Sequence, residues 1–524
     1  MRLNRLRRRW GRRAAAQDGW AMIVVLGALL IGSMMTIAAF AATDRDQPSS
    51  RFDQDSKQAY AAAEAGIHDY LAHLNRDNAY WARCTGVPTP NAVNQAWNGS
   101  GADPRTWRQL RNTTSEYTIE LLPANGATSC NPASPDTTMI NSREGTFRIR
   151  ATGRAAPGKV KRTLIATFRR RGFLDYLYFT DFETSDPAWY GLTQSSDVVT
   201  WASTACARYY RDGRASQTGP GGNKCTEIQF APNDIVAGPL HTNDELLVCG
   251  SPDFGRNTDD RIEVSAPPQG WRGSGNCSGN NPSFIGTWAP SSPILTLPPS
   301  GTSLKNIADP GYRFTGATDI VLGTSSMTVN GTSMALPPKG IIYVANGTCG
   351  AGYEPLDPYS APAGCGDVTV HGTYGANLTI AAEKDVIIDG DLRRSGDVML
   401  GLIANNFIRV YHPVRNRGAN NSCTNDTGTM NDVTIDAAIL SLQHSFTVDN
   451  YYCGSALGNL TVNGVIAQKF RGPVGRGNGN SVLNGYTKRY NYDDRLRYRS
   501  PPNFLDPVQS AWRIVRYTEQ LPPL

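Results

Sequence analysis

At 524 residues the chain is too long for one compact core, and its 52 glycines and 33 prolines against 18% charged residues favour many short strands joined by turns. The formal charge of +6 does not mark a nucleic-acid binder. Arg2, Arg5, Arg7, Arg8, Arg9, Arg12 and Arg13 all sit at the extreme N-terminus, and the near-neutral remainder has no basic excess with which to track a phosphate backbone.

Residues 1–19 form a basic leader. From Trp20 to Ala42 the chain carries no charge, a length that as a helix crosses a hydrocarbon core of about 30 Å. Arginines on the near flank and Thr43-Asp44 on the far one place the leader in the cytoplasm and the rest outside. A cleaved secretory signal ending near Ala39-Phe40-Ala41-Ala42 is the competing reading; the apolar run is longer than a signal core needs, and helical periodicity resumes soon after.

Pro48 should kink or restart the helix. Beyond it, Phe52, Tyr60, Ala63, Ile67, Tyr70 or Leu71, and Leu74 recur at mostly three- and four-residue spacing, with Ser50 and Asp53 placed like a capping box. An amphipathic helix with an alanine-rich middle is expected, its stripe lying on the strands that follow. Those strands show as alternation: Tyr117, Ile119, Leu121; then Phe147, Ile149, Ala151; then Leu164, Ala166, Phe168.

A basic leader ending in Gly19, an apolar helix from Trp20 that runs on into Ala62-Ala63-Glu64-Ala65-Gly66, and a small sheet together resemble type IV pilin-like proteins, in particular minor pilins of the PilX N-terminal type. The resemblance covers about the first third of the chain and implies cleavage by a prepilin peptidase between Gly19 and Trp20. Major pilins carry a glutamate five residues into the mature chain, where this sequence has Val24, a departure tolerated in minor, tip-located members. The lipid bilayer is the expected partner, and the resemblance adds other pilins and the pilus assembly platform.

Residues 173–234, opening on the aromatic stretch Phe173-Leu174-Asp175-Tyr176, form an expected linker or subdomain with its aromatics as core. From about 235 a unit recurs in which a polar residue is followed by apolar, any, apolar, as in Glu245 to Val248, Asp319 to Leu322, Ser326 to Val329, Asp367 to Val370, Asn377 to Ile380, Asp385 to Ile388, Asp397 to Leu400, Asp432 to Ile435, Ser445 to Val448 and Asn459 to Val462. Short strands broken by turn residues fit a sandwich or a stacked coil, and a right-handed parallel β-helix is preferred. The expected fold is therefore mainly β with one long N-terminal α-helix. Residues 20–42 span the membrane, 43–172 form a pilin-like helix and antiparallel sheet, 235–484 a β-helix-like ectodomain, and 485–524 a tail packed on it.

Ten cysteines, Cys84, Cys130, Cys206, Cys225, Cys249, Cys277, Cys349, Cys365, Cys423 and Cys453, all follow the apolar segment, in a pattern that suits disulfides between sequence neighbours on the oxidising side of a membrane. No Cys-x-x-Cys or close Cys/His set suggests a metal, and no cofactor is implied.

Catalytic patterns are weak. Asp259-Asp260 invites comparison with polygalacturonases, but adjacent strand residues point to opposite faces and cannot flank one glycosidic bond. His241, after a Gly-Pro turn, is expected to be a corner residue bonding the backbone, and Gly475 to Gly479 a flexible surface loop. A membrane-anchored structural protein of a bacterial surface assembly, displaying its body for assembly or adhesion, is the leading expectation. Its alternatives are a surface β-helix outside any pilus and a carbohydrate-active enzyme.

Overall fold

The computed structural model describes residues 20–523 except 78–79, 84–106, 129, 132, 142–145, 158, 171, 193–195, 233, 276, 278, 350–362, 416–422, 478–481, 498 and 509–511. One helix, α1 (Trp20–Arg76), runs for 57 residues, about 85 Å at the usual rise. It continues across Pro48, so the expected restart is absent and Ser50 and Asp53 lie inside the helix rather than capping a new one. Proline removes one ladder hydrogen bond, which does not end a helix held by its own ladder on both sides.

The distal half of α1 is amphipathic, but its buried stripe differs from the expected one at its start: Phe52 and Tyr60 are exposed, and the small Ala59 and Ala62 lie against the sheet instead, where the close approach leaves no room for a ring. Ala59, Ala62, Ala63, Ile67, Tyr70 and Leu74, mostly three or four apart, are at most 1% exposed. They cover an antiparallel sheet of β1 (Arg108–Gln109), β2 (Glu116–Leu122), β3 (Thr146–Arg154) and β4 (Lys161–Arg170), whose alternating Tyr117, Ile119, Phe147, Ile149, Leu164 and Phe168 face the helix. Close approach is set by two glycines. A Cβ on Gly153 would lie 2.1 Å from the Ala59 carbonyl oxygen, and one on Gly66 2.6 Å from the Tyr117 ring. The fifth strand of this sheet is the C-terminal segment Trp512–Gln520, antiparallel to β4. Residues 485–524, expected as one tail, thus divide between the body and this sheet.

The body is a large, curled, parallel-rich sheet. Its longest ladder stacks, in spatial order, Arg313–Thr315, Ile341–Ala345, Leu378–Ala382, Leu400–Ala404, Ala438–Ser441, the end of Ala456–Arg471, Tyr178–Ser185, Leu240–Thr242, Arg261–Val264 and Thr287–Pro290, every pair parallel. Short strands on the other sides of the coil stack in the same order, among them Val368–Tyr374 on Val386–Arg394 and Val433–Ile435 on residues 460–462. Interior register partners form continuous apolar columns, as in Ile342, Ile380, Leu402, Ile439, Ile466, Tyr178, Leu240 and Ile262. Each rung completes its neighbour's core, and most of the recurring units supply the rungs. Ser326–Val329 is different: it pairs antiparallel with Thr318–Leu322 and Thr332–Ala335.

Spatial order is not chain order. The chain joins the coil in its middle at Tyr178 and stacks toward one end at Thr287–Pro290. It then runs back outside and restarts at the other end, arriving at residues 456–492 beside the strand where it began. The returning segment is fastened rung by rung: Asn243 bonds both the N–H and the C=O of Leu295, Gln443 donates to the Pro299 carbonyl, and the Gly301 N–H donates to Asn405.

Candidate functional site

Two regions depart from ordinary packing: the proximal half of α1 and the seam where the two coil segments meet. Residues Ala21–Ala38 form the one described helix segment long and apolar enough to cross a membrane, about 27 Å of helix. Its large side chains, Met22, Ile23, Val24, Val25, Leu26, Leu29, Leu30, Ile31, Met34, Met35 and Ile37, are 56% to 70% exposed. So much contiguous apolar surface is not stable in water and requires lipid or another apolar helix around it. Ser33 and Thr36 return their hydroxyls to the carbonyls of Leu30, Gly32 and Ser33, which suits an apolar surround. Trp20 is the first residue of α1, while Gly19 lies outside the described residues, so the cleavage position is not placed.

At the seam an interior column that is apolar elsewhere turns polar: Ser441, Gln468, Thr180 and Thr242 are register partners and all but fully buried. The Gln468 amide oxygen accepts from Phe446 N–H at 2.9 Å, and the Thr180 and Thr242 hydroxyls lie 3.0 Å apart. Glu183 accepts from Thr180 and, at 3.0 Å, from Arg471, whose guanidinium stacks 3.6 Å from the Phe230 ring. Burial raises the Glu183 pKa despite Arg471. Two more ion pairs cross between the segments, Lys488 with Asp234 at 2.9 Å and His444 with Asp186 at 3.0 Å. Burial works against the charged Asp234, but Lys488, the Ala231 N–H and Arg471 together hold the carboxyl below its usual range.

His241 is not a corner residue bonding the backbone. It lies in strand Leu240–Thr242, fully buried, with Nδ1 3.1 Å from Glu263 and Nε2 3.0 Å from Asn243, and it stacks on Phe179. Its outward position on the coil is covered by the aromatic segment that links the two domains, so side chains rather than backbone surround it. That segment also supplies the rung strand Tyr178–Ser185, with Phe173, Leu177 and Phe179 fully buried.

Asp260 is buried and held by Arg256 at 2.8 Å and Arg497 at 2.8 Å, while Asp259 is exposed. Burial penalises the Asp260 carboxylate, but these arginines keep its pKa lowered, so it is poorly suited to deliver a proton. Gly475–Gly477, expected in a loop, pairs antiparallel with Val482–Tyr492, and residues 478–481 lie outside the described set. Among the described residues no group of three or more His, Cys, Asp or Glu is arranged to hold a metal ion.

Four cysteine pairs stand at disulfide distance: Cys206 with Cys225, Cys249 with Cys277, Cys349 with Cys365 and Cys423 with Cys453, with Cα separations of 5.5, 5.4, 4.5 and 5.5 Å. Cys130 is disulfide-bonded, and Cys84 lies outside the described residues. Sequence reading missed the seam. The available signal was polar Thr180, Thr242 and Gln468 at positions where the strand alternation calls for apolar side chains.

No family model matches the sequence, and no curated protein does. Among solved structures, the competence-associated pilin ComZ from Thermus thermophilus aligns over 90% of this chain and 98% of its own, at 14% identity and a TM-score of 0.24, a level of similarity on which no conclusion is built.

Proposed function

We propose that this chain is a membrane-anchored, pilin-like structural protein whose β-helical body is displayed outside the cytoplasmic membrane for assembly or adhesion. The observation that carries the reading is the division of α1. Its first third exposes a continuous apolar surface of bilayer length, while its distal stripe is buried against a small antiparallel sheet. An anchor that continues without a break into the core of a folded domain has the architecture the sequence resemblance implies. Four cysteine pairs at bonding distance favour an oxidising compartment for the body. Other pilins and the assembly platform are its proposed partners, and the body is proposed to act by binding rather than catalysis.

N-terminal sequencing of the protein recovered from membranes tests the processing step. A start at Trp20 supports pilin maturation, and a start near Thr43 identifies a cleaved signal and contradicts it. Val24, where a glutamate would pair with a neighbour's terminal amine, favours one second reading: an intact leader, and a permanent anchor that never enters a filament.

A further inference from the structure

The covalent joint between the small sheet and the coil is short, from Arg170 at the end of β4 through the turn Phe173–Asp175 to Tyr178. A single-strand joint of this length would leave the coil free to swing about it. A second bridge exists. After the last rung strand, Val482–Tyr492, the chain runs back along the coil and is stapled to it. Arg495 binds Asp397, the Thr379 hydroxyl donates to the Pro502 carbonyl at 2.6 Å, and the Val508 N–H donates to Thr296 at 2.9 Å. It then enters the small sheet as Trp512–Gln520, in register with β4 at eight positions from Trp512 opposite Arg170 to Gln520 opposite Thr163.

The geometry points to a latch: residues 512–520 fix the direction in which the coil projects from α1. Strand β4 and the latch strand both meet the coil at the same end, near Arg170 and Trp512. A force separating coil from sheet therefore drags the latch along its own axis, loading its ladder hydrogen bonds together rather than one after another. Side chains hold it at both ends. Trp512 is buried among Phe147 and Trp81, Arg513 binds Asp175 in the joint itself, and Glu519 binds Arg162 at the far end. The carbonyl of Leu496, on the stapled segment, accepts from buried Arg169 of β4. None of this depends on whether Gly19 is a cleavage site.

The test uses the full chain in detergent micelles with a fluorophore pair at Arg111, on the small sheet, and Lys305, on the coil, both exposed. Single-molecule energy transfer should give one narrow distance distribution. A chain ending after Val508 should widen it at least twofold while the coil's melting transition stays in place; an equally narrow distribution overturns the latch. Should truncation unfold the small sheet, the double variant Trp512→Ala/Arg513→Ala takes its place, with hydrogen exchange read alongside. Widening in step with faster exchange of residues 512–520 supports the proposal, and free exchange of those amides with unchanged width refutes it.

Discussion

Gly153 shows how much one missing side chain decides. A Cβ added there would run into the α1 backbone at Ala59 and Ala63, and so has no soft neighbour to displace. Gly153→Ala should cost about 3 kcal/mol through overpacking, read as a lower melting temperature of the helix-bearing domain with the coil's transition unchanged. Buried charge is the second residue-scale theme. Burial pushes the Asp385 carboxyl up to about 6, with Arg409 partly opposing. A carboxyl raised in the folded state favours folding below its ordinary pKa of 3.8, and that contribution is lost as pH rises toward 6. The stability advantage of the native chain over Asp385→Asn should therefore shrink between pH 4 and 6; an advantage that grows over that window contradicts the assignment. His444 has the same sign for a different reason. Burial lowers its pKa, the Asp186 carboxylate more than reverses this, and the net rise places its contribution below pH 6.5, lost as pH climbs through the raised value.

Elements differ in how openly the sequence announces them. The rung at Asp385 to Ile388 and the helix stripe from Ala59 to Leu74 are legible because burial of one face imposes a period of 2 or 3.6 on local sequence. Tyr178–Ser185 is harder to see. It is covered on both sides, so Phe179, like its register partner His241 on the next strand, is buried where alternation predicts solvent. Trp512–Gln520 has strand composition but no nearby partner, since its neighbour lies at Lys161–Arg170, and local pattern carries no information about pairing across such distances. The polar seam leaves only a weak mark in the sequence for a related reason: a buried Thr or Gln is tolerated once hydrogen-bonded, and its partners become known only with the register. Loops between rungs have little core of their own, so cross-links matter there. Replacing Cys249 and Cys277 by alanine, which opens a loop of 28 residues, should lower stability by about 3 to 4 kcal/mol on the loop-entropy estimate, measurable by denaturant titration without reductant.

At the scale of the molecule, the interrupted order of the rungs means that Tyr178–Ser185 presents an open strand edge until residues 456–471 arrive, 288 positions later at the Glu183–Arg471 contact. Closing so long a loop is slow, and an unpaired edge in the interval invites aggregation. A chain ending before Ala456 should accordingly accumulate as insoluble material, whereas the same chain supplied with a separately expressed 456–524 segment should recover soluble protein. The finished molecule has a lipophilic helix at one pole, a small sheet joined to the middle of the coil by two connections, and a long body beyond. The proposed function requires the body and the leader to stand on opposite sides of a membrane. Protease added to intact spheroplasts measures this most directly. The account predicts that the body is digested while a short membrane-embedded fragment containing residues 20–42 survives, and a full-length chain protected until the membrane is breached would contradict it.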